Sequence, residues 1–392
     1  MIPYGKQTID EDDIKAVVEV LRSDWLTTGP KVKEFENAVA EFVDAKYAVA
    51  VSSGTAALHC AMYALDIGAG DEVIVPPITF AATANCVVFQ GGTPVFADVD
   101  PNTLLLDPGK VEEEITGKTK AIIGVDYAGQ PCDWDRLREI GNRYKLRLVA
   151  DGCHALGAEY KGEKVGAIAD MTVFSFHPVK HIATGEGGMI TTDDEDLANR
   201  MRLFRNHGIT PDPKCFSSLT SDLRPLTSDF SWFYEMTDLG YNYRITDFQC
   251  ALGISQLRKL PRFLERRREI AAHYDEAFAS LSAINPLVVR PNAFHSYHLY
   301  VVRVDPGALG IDRTTLFANL RGKGIGVNVH YIPVHLHPFY RENFHTGFGL
   351  CPVAEAAYEQ IISIPMFPGM TDEDVENVIN VMQKIILQNQ DK

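Results

Sequence analysis

The sequence predicts an α/β fold with a largely parallel, buried sheet and a smaller α+β unit toward its C-terminal end. Three observations predict it. Short apolar runs alternate with helix-like segments through most of the chain, the pattern of βαβ units. Those runs are apolar on both faces, as strands covered by helices are. The length, 392 residues, exceeds the size at which a single hydrophobic core usually stops growing.

The elements follow in order. Asp10 can cap a first helix, with Ile14, Val17, Val18 and Leu21 at helical spacing. A hydroxyl-rich turn, SDWLTTGP (Ser23–Pro30), precedes a second amphipathic helix through Val32, Phe35, Val39 and Phe42. Ala48–Leu65 reads as strand, small-residue turn and helix. Strands are then expected at Asp71–Val75, Pro94–Ala97, Ala121–Val125, Leu146–Ala150, Met171–Phe176 and Gly188–Thr192. Helices are expected from about Ala81 to Gln90 and over Trp134–Tyr144. After Gln256 the character changes. A charged helix at Arg262–Leu281, strands at His298–Val304 and Val327–His330, and helices at Arg313–Lys323 and Asp372–Gln388 compose the second unit. The division is therefore 1–256 and 257–392. The segment Ser217–Asp229, rich in hydroxyls and without periodicity, reads as a mobile or partner-facing loop.

Charge and cysteine use exclude several classes. The formal charge is −15, which disfavours nucleic acid and anionic membrane surfaces as partners. A phosphorylated small molecule remains open, because a helix N-terminus can hold it locally. Seven scattered cysteines without a C-x-x-C pair fit reduced thiols rather than a disulfide framework. The N-terminus carries no basic and apolar leader pattern, and no segment reads as a membrane span. A cytoplasmic protein is expected.

Four places could carry chemistry. Ser53-Gly54-Thr55 joins a strand to a helix, so free N–H groups, hydroxyls and a glycine meet where a phosphate could sit; simple helix capping is the plainer reading. Asp151 ends a buried strand, where open α/β sheets place ligands, and a carboxylate there could hold a proton on a pyridine nitrogen; a turn aspartate would look the same. Lys180 lies in SFHPVKHIATGEGG, between an aromatic run and a glycine-rich turn. A lysine that bonds a carbonyl must be neutral part of the time, which burial promotes; a solvated loop lysine is the ordinary alternative. His330, His335 and His337 raise a metal site, but their spacing matches no zinc pattern and Pro333 breaks any helix.

Phosphate turn, strand-end acid and lysine before glycines, in that order, resemble the fold-type I aminotransferases that use pyridoxal 5'-phosphate (PLP). More narrowly, the chain resembles the DegT/DnrJ/StrS sugar aminotransferases over nearly its whole length, through PYGKQTIDEDDI, SSGTAAL, GDEVIVPPITFAATAN, DGCHALGAEY, SFHPVKHIATGEGG, GYNYRITDFQCALGISQL and VHYIPVHLHPFY. The fold this implies is a seven-stranded, mainly parallel sheet flanked by helices, plus a small C-terminal domain. Lys180 stands at the Schiff-base lysine, the catalytic residue of the family. Asp151 stands under the pyridine nitrogen, His154 near the 3-oxygen, and Phe80 at the aromatic that stacks on the ring. Ser175 with Ser53, Gly54 and Thr55 stands at the phosphate contacts. Asn242 matches an asparagine given by the other subunit, which implies a homodimer with shared sites. Substrate contacts map to Tyr4, Asp24, Trp25, Leu26, Thr27, Ser53, His330, Tyr331, Ile332 and Pro333; Trp25 stands where the family carries polar residues.

DYAG, CHALGAEY, SFHPVK and HYIPVHLHP resemble most the aminotransferases of pseudaminic acid synthesis. This implies transfer of an amino group from L-glutamate to the C4 keto group of UDP-4-keto-6-deoxy-N-acetyl-β-L-altrosamine, through pyridoxamine 5'-phosphate. Another nucleotide-linked keto sugar is the alternative substrate. A PLP-binding protein without catalysis and a metal-dependent hydrolase are the rivals from other classes. A related branch that dehydrates sugars has histidine at the position of Lys180.

Overall fold

A computed structural model describes residues 1–217 and 232–390. Seven strands form the main sheet: β1 (Tyr47–Val51), β2 (Glu72–Val75), β3 (Thr93–Phe96), β4 (Thr119–Val125), β5 (Arg147–Asp151), β6 (Met171–Ser175) and β7 (Gly188–Thr192). Their order is β1-β7-β6-β5-β4-β2-β3. Pairs β2–β3, β2–β4, β4–β5 and β5–β6 are parallel, and β7 runs antiparallel to both β1 and β6. Burial is continuous along β7 and along β1 after Tyr47, as expected of strands covered on both faces. Each expected strand of this sheet is present, within a residue or two at its ends.

A second sheet is antiparallel and comprises β8 (Ile284–Pro286), β9 (Tyr300–Val304) and β10 (Ile361–Ile364), in the order β8-β9-β10. It packs with the helices Arg313–Gly322 and Asp372–Gln390 around a separate apolar cluster that includes Val302, Leu316, Leu320, Ile362 and Met382. The larger cluster belongs to the main sheet and its helices.

Three sequence readings change. The helix expected at Arg262–Leu281 runs instead from Asp247 to Phe278, with Pro261 inside it. Proline is at home in a first helical turn, so Pro261 reads as a start. The true start is the capping box of Thr246 and Gln249. The 256/257 division falls within this one helix, which contributes residues to both clusters. Val327–His330 is no strand; Asn328 makes a single bridge to Ser363. In the first helix, Asp10 does cap, but Ile14 and Leu21 stay 48% and 55% exposed while Asp13 is buried against Lys259 and Gln256. Residues 218–231, most of the hydroxyl-rich segment, lie outside the described residues.

Candidate active site

The carboxyl ends of β1, β4, β5 and β6 open into one cavity of about 530 Å³, where parallel sheets place their ligands. Its lining brings together Tyr4, Ser53, Gly54, Thr55, Phe80, Asp151, His154, Ser175, Lys180, His330 and Tyr331. These come from distant parts of the sequence. Asp24, Trp25, Leu26, Thr27, Asn242, Ile332 and Pro333 are not in the lining. Leu26 and Thr27 bind the start of the long helix, through the Asp247 N–H to the Leu26 carbonyl (3.0 Å) and a bridge from Thr27 to Thr246. Asn242 is exposed and bridges to Asn206.

A candidate phosphate cup forms where β1 turns into the helix Gly54–Ala64. Ser53 caps that helix by accepting from the Ala56 N–H at 3.1 Å, and its carbonyl accepts from Ala57. The helix's own geometry leaves the N–H groups of Gly54 and Thr55 for a ligand. Ser175, at the end of β6, closes the cup. A Cβ on Gly54 would lie 2.9 Å from that of Ser175, and a Cβ on Gly188 would lie 2.3 Å from the Ser53 carbonyl oxygen. Both glycines are therefore needed for the strand ends to meet. The unspent donors, the glycine contacts and the hydroxyls fit a phosphate group.

Asp151 is almost fully buried. Thr83 donates to its Oδ2 at 2.7 Å, Thr79 and Thr83 share a 2.7 Å hydroxyl bond, and the Cys153 N–H reaches Oδ1 at 3.2 Å. A carboxylate fixed in this way suits a cationic ring nitrogen. His154 is held neutral, its pKa pushed well below the usual histidine value, mainly by burial and then by the Lys180 charge. Its Nδ1 accepts from the Ala128 N–H at 3.3 Å, so its Nε2 carries the proton and donates to the Tyr331 hydroxyl at 3.0 Å. Tyr331 is thereby free to donate its own proton into the cavity.

Lys180 stands at the cavity wall. Burial lowers its pKa, against the opposing pull of Cys153 and Asp151, and so enlarges the neutral fraction that a nucleophilic amine needs. The structure adds residues that sequence reading missed: Thr83, Asn328 and His298, whose Nε2 is 3.4 Å from Lys180 Nζ. No local signal marks them: Thr83 and His298 are ordinary buried residues in their own segments, and Asn328 is partly buried in a stretch without a motif.

The three histidines weighed as a metal site form no cluster of ligands among the described residues. His330 binds Ser363 through Nδ1 (2.8 Å) and Asn328 through Nε2 (3.2 Å), whereas His335 pairs with Glu355 at 3.0 Å. Their ring nitrogens do not converge. No described helix is long and apolar enough to cross a membrane.

A seven-stranded sheet whose strand ends gather a buried acid, a depressed lysine and a turn suited to phosphate has the arrangement a fold-type I PLP-dependent enzyme requires. Residues 7–383 match the model of the DegT/DnrJ/EryC1/StrS aminotransferase family, and the chain belongs to that family. It is 42% identical over 386 residues to the spore coat polysaccharide biosynthesis protein SpsC of Bacillus subtilis, covering 98% of this chain and 97% of that one. Among solved structures, Helicobacter pylori PseC, an aminotransferase involved in the biosynthesis of pseudoaminic acid, superposes with a TM-score of 0.89 at 34% identity over 99% of each chain. A putative sugar aminotransferase from Streptococcus pneumoniae, solved in its PMP form, gives 0.90 at 35% identity, covering 99% of this chain and 100% of that one; its PLP form is similar too. The protein is a PLP-dependent sugar aminotransferase.

Proposed function

We propose that the enzyme moves the amino group of L-glutamate to the C4 keto group of a UDP-linked 4-keto-6-deoxy-N-acetylhexosamine, as in pseudaminic acid synthesis. The observation that carries this reading is the whole-length likeness to PseC, together with a cavity whose lining includes the clustered rings of Tyr4, His330 and Tyr331. The 42% identity to SpsC favours a second reading, a nucleotide-linked keto sugar destined for a surface polysaccharide.

When bound, PLP supplies the electron sink that lets the donor's Cα proton leave. The residues of the chain do the rest. Ser53, Gly54, Thr55 and Ser175 would hold the phosphate, Asp151 the ring nitrogen and His154 the 3-oxygen, and Phe80 would cover the ring. Lys180 Nζ, whose neutral fraction burial enlarges, takes the donor's Cα proton and later delivers a proton to the sugar carbon that gains nitrogen. Tyr331, its oxygen fixed by His154, presents a hydroxyl proton to the sugar or its carbonyl. Asp24, Trp25, Leu26, Thr27, Ile332 and Pro333, which lie outside the lining of this cavity, would meet the sugar nucleotide beyond its mouth or in the partner's site.

The working unit in this reading is a homodimer in the cytoplasm, with Asn242 reaching the partner's cofactor. Large apolar side chains left exposed at Trp25, Leu26, Trp232, Tyr234, Met236 and Leu239 support such an interface, and the seven unpaired cysteines fit a reducing compartment. The test is a panel of UDP-, dTDP- and GDP-linked keto sugars with glutamate, with products weighed by mass spectrometry and the new amine located by NMR. Amination of the UDP-linked 4-keto sugar alone is expected. Preference for another nucleotide or ring position would replace this substrate.

A further inference from the structure

His298 faces Lys180 from the other side of the fold. It precedes β9 of the small sheet, yet its Nε2 lies 3.4 Å from Lys180 Nζ, while its Nδ1 is buried with no partner. The segment that carries it is held from several directions. Arg267, fully buried on the long helix, donates through Nη1 to the carbonyls of Tyr297 (2.9 Å), His298 (3.2 Å) and Met366 (3.0 Å). The Ser296 hydroxyl reaches the His154 carbonyl at 3.1 Å, and the N–H groups of Ser296 and Leu299 bind the carbonyls of Gly129 and Ala128. Between them Tyr297 sits at φ +49°, a left-handed conformation that a non-glycine residue adopts at a cost and keeps only when its surroundings enforce it. So much restraint on one short segment fixes the imidazole's place. The His298 ring also packs on that of His154, with centroids 4.4 Å apart.

Burial settles the form of the imidazole. It pushes the His298 pKa well down, and Lys180, His154, His181 and Arg267, each a cation or a group that could become one, add to it. Lys180 itself faces Asp151, Cys153, His154, His298 and His330, with Glu186 and His177 also on the cavity wall. A neutral imidazole beside an amine is a hydrogen-bond acceptor for it. We propose that His298 is a positioning residue for Lys180: its Nε2 accepts an N–H of the lysine, directs the remaining face of the amine into the cavity, and gives the charged form one fixed partner. The inference rests on Lys180 being the reactive amine. Its direct consequence is a hydrogen bond that exists without cofactor or substrate.

The test therefore uses cofactor-free protein. Trace acetylation across pH 6 to 11, with the Lys180 peptide quantified by mass spectrometry against a free-amine standard, reads the amine's titration. His298→Phe keeps the ring and its packing but removes the acceptor, so Lys180 should titrate lower by about one pH unit, because hydrogen bonds to charged groups are the stronger ones. His298→Gln, whose amide oxygen accepts at similar reach, should restore it. His298→Met fills the space without a strong acceptor and serves if the Phe variant does not fold. In reconstituted enzyme the half-reaction with glutamate should slow at least tenfold in the Phe or Met variant and recover in Gln. A Lys180 titration that is unchanged or raised in Phe and Met, or displaced equally in Gln, overturns the proposal. Failure of the glutamate half-reaction in the wild-type protein would instead count against the amino donor assigned above, and leaves the titration result standing.

Discussion

Gly188 offers the sharpest structural test of the phosphate cup. It opens β7, paired with Val51 on one side and Ser175 on the other, so it lies between the two halves of the cup. A methyl group there would sit 2.3 Å from the Ser53 carbonyl oxygen, 2.5 Å from its carbon and 2.8 Å from the Gly54 nitrogen. All three are backbone atoms, which have no rotamer to change. Reaching even the shortest contact a real Cβ tolerates, near 3 Å, forces the turn and β7 apart by at least roughly 0.7 Å, and overpacking of this kind costs about 1–3 kcal/mol. If that strain is relieved by moving the Ser53–Thr55 turn, the loss falls on cofactor binding. Gly188→Ala should then bind PLP roughly 5- to 150-fold more weakly, at 1.4 kcal/mol per factor of ten. The assay is titration of cofactor-free protein with PLP, followed by absorbance. Gly68→Ala, where an added Cβ meets nothing within 4 Å, is the control and should match the wild type. A Gly188→Ala affinity within threefold of wild type would refute the reasoning, since the cup would then tolerate displacement of its own wall.

Other outcomes follow from the same geometry. Thr83→Val leaves Asp151 without its 2.7 Å donor, so the cofactor-free protein should lose about 1.5–3 kcal/mol; Thr83→Ser should recover it, and an unchanged denaturant midpoint in the Val variant would remove Thr83 from the account. Arg267→Met strips three buried carbonyls of their donor and should destabilise by about 3–5 kcal/mol, whereas a loss under 1 kcal/mol in urea unfolding would contradict that. His59, His295 and His330 are pushed down to about 4, 3 and 3, and His154, His181 and His298 well down, in each case chiefly by burial. An unfolded histidine titrates near 6.5, so below that pH the unfolded chain binds protons the folded one refuses. Stability should be fully present above about pH 6.5 and fall by about 1.4 kcal/mol per pH unit for each such histidine as pH drops. Asp126, raised by burial to about 7, works the other way and offsets one of them. A urea midpoint unchanged between pH 7 and 5 would contradict this.

What the sequence made legible has a physical pattern. The sheet was readable because β1 to β7 are short apolar runs bounded by turn residues. Lys180, Asp151 and Ser53–Thr55 each had an ordinary reading alone; their order along the chain and the family resemblance singled them out, and the fold brings them into the lining of one cavity. Thr83 and His298 were not singled out in this way. They lie 68 and 118 residues from the groups they serve, and only the folded chain brings them together. The long helix was misplaced because Pro261 resembles a start when its true start, Thr246, lies fifteen residues earlier in a segment given no element. Trp25 and Asn242, expected at the site, lie outside the cavity of a single chain, which is where residues destined for a partner subunit's site would lie.

The central claim is that Lys180 carries the cofactor. Borohydride reduction of the PLP-loaded protein, followed by proteolysis and peptide mass spectrometry, tests it in one measurement. The account predicts the reduced pyridoxyl phosphate on the peptide containing Lys180, and its disappearance from that peptide when glutamate is added before reduction. A label on any other lysine, or none at all in protein that still aminates a keto sugar, would contradict it.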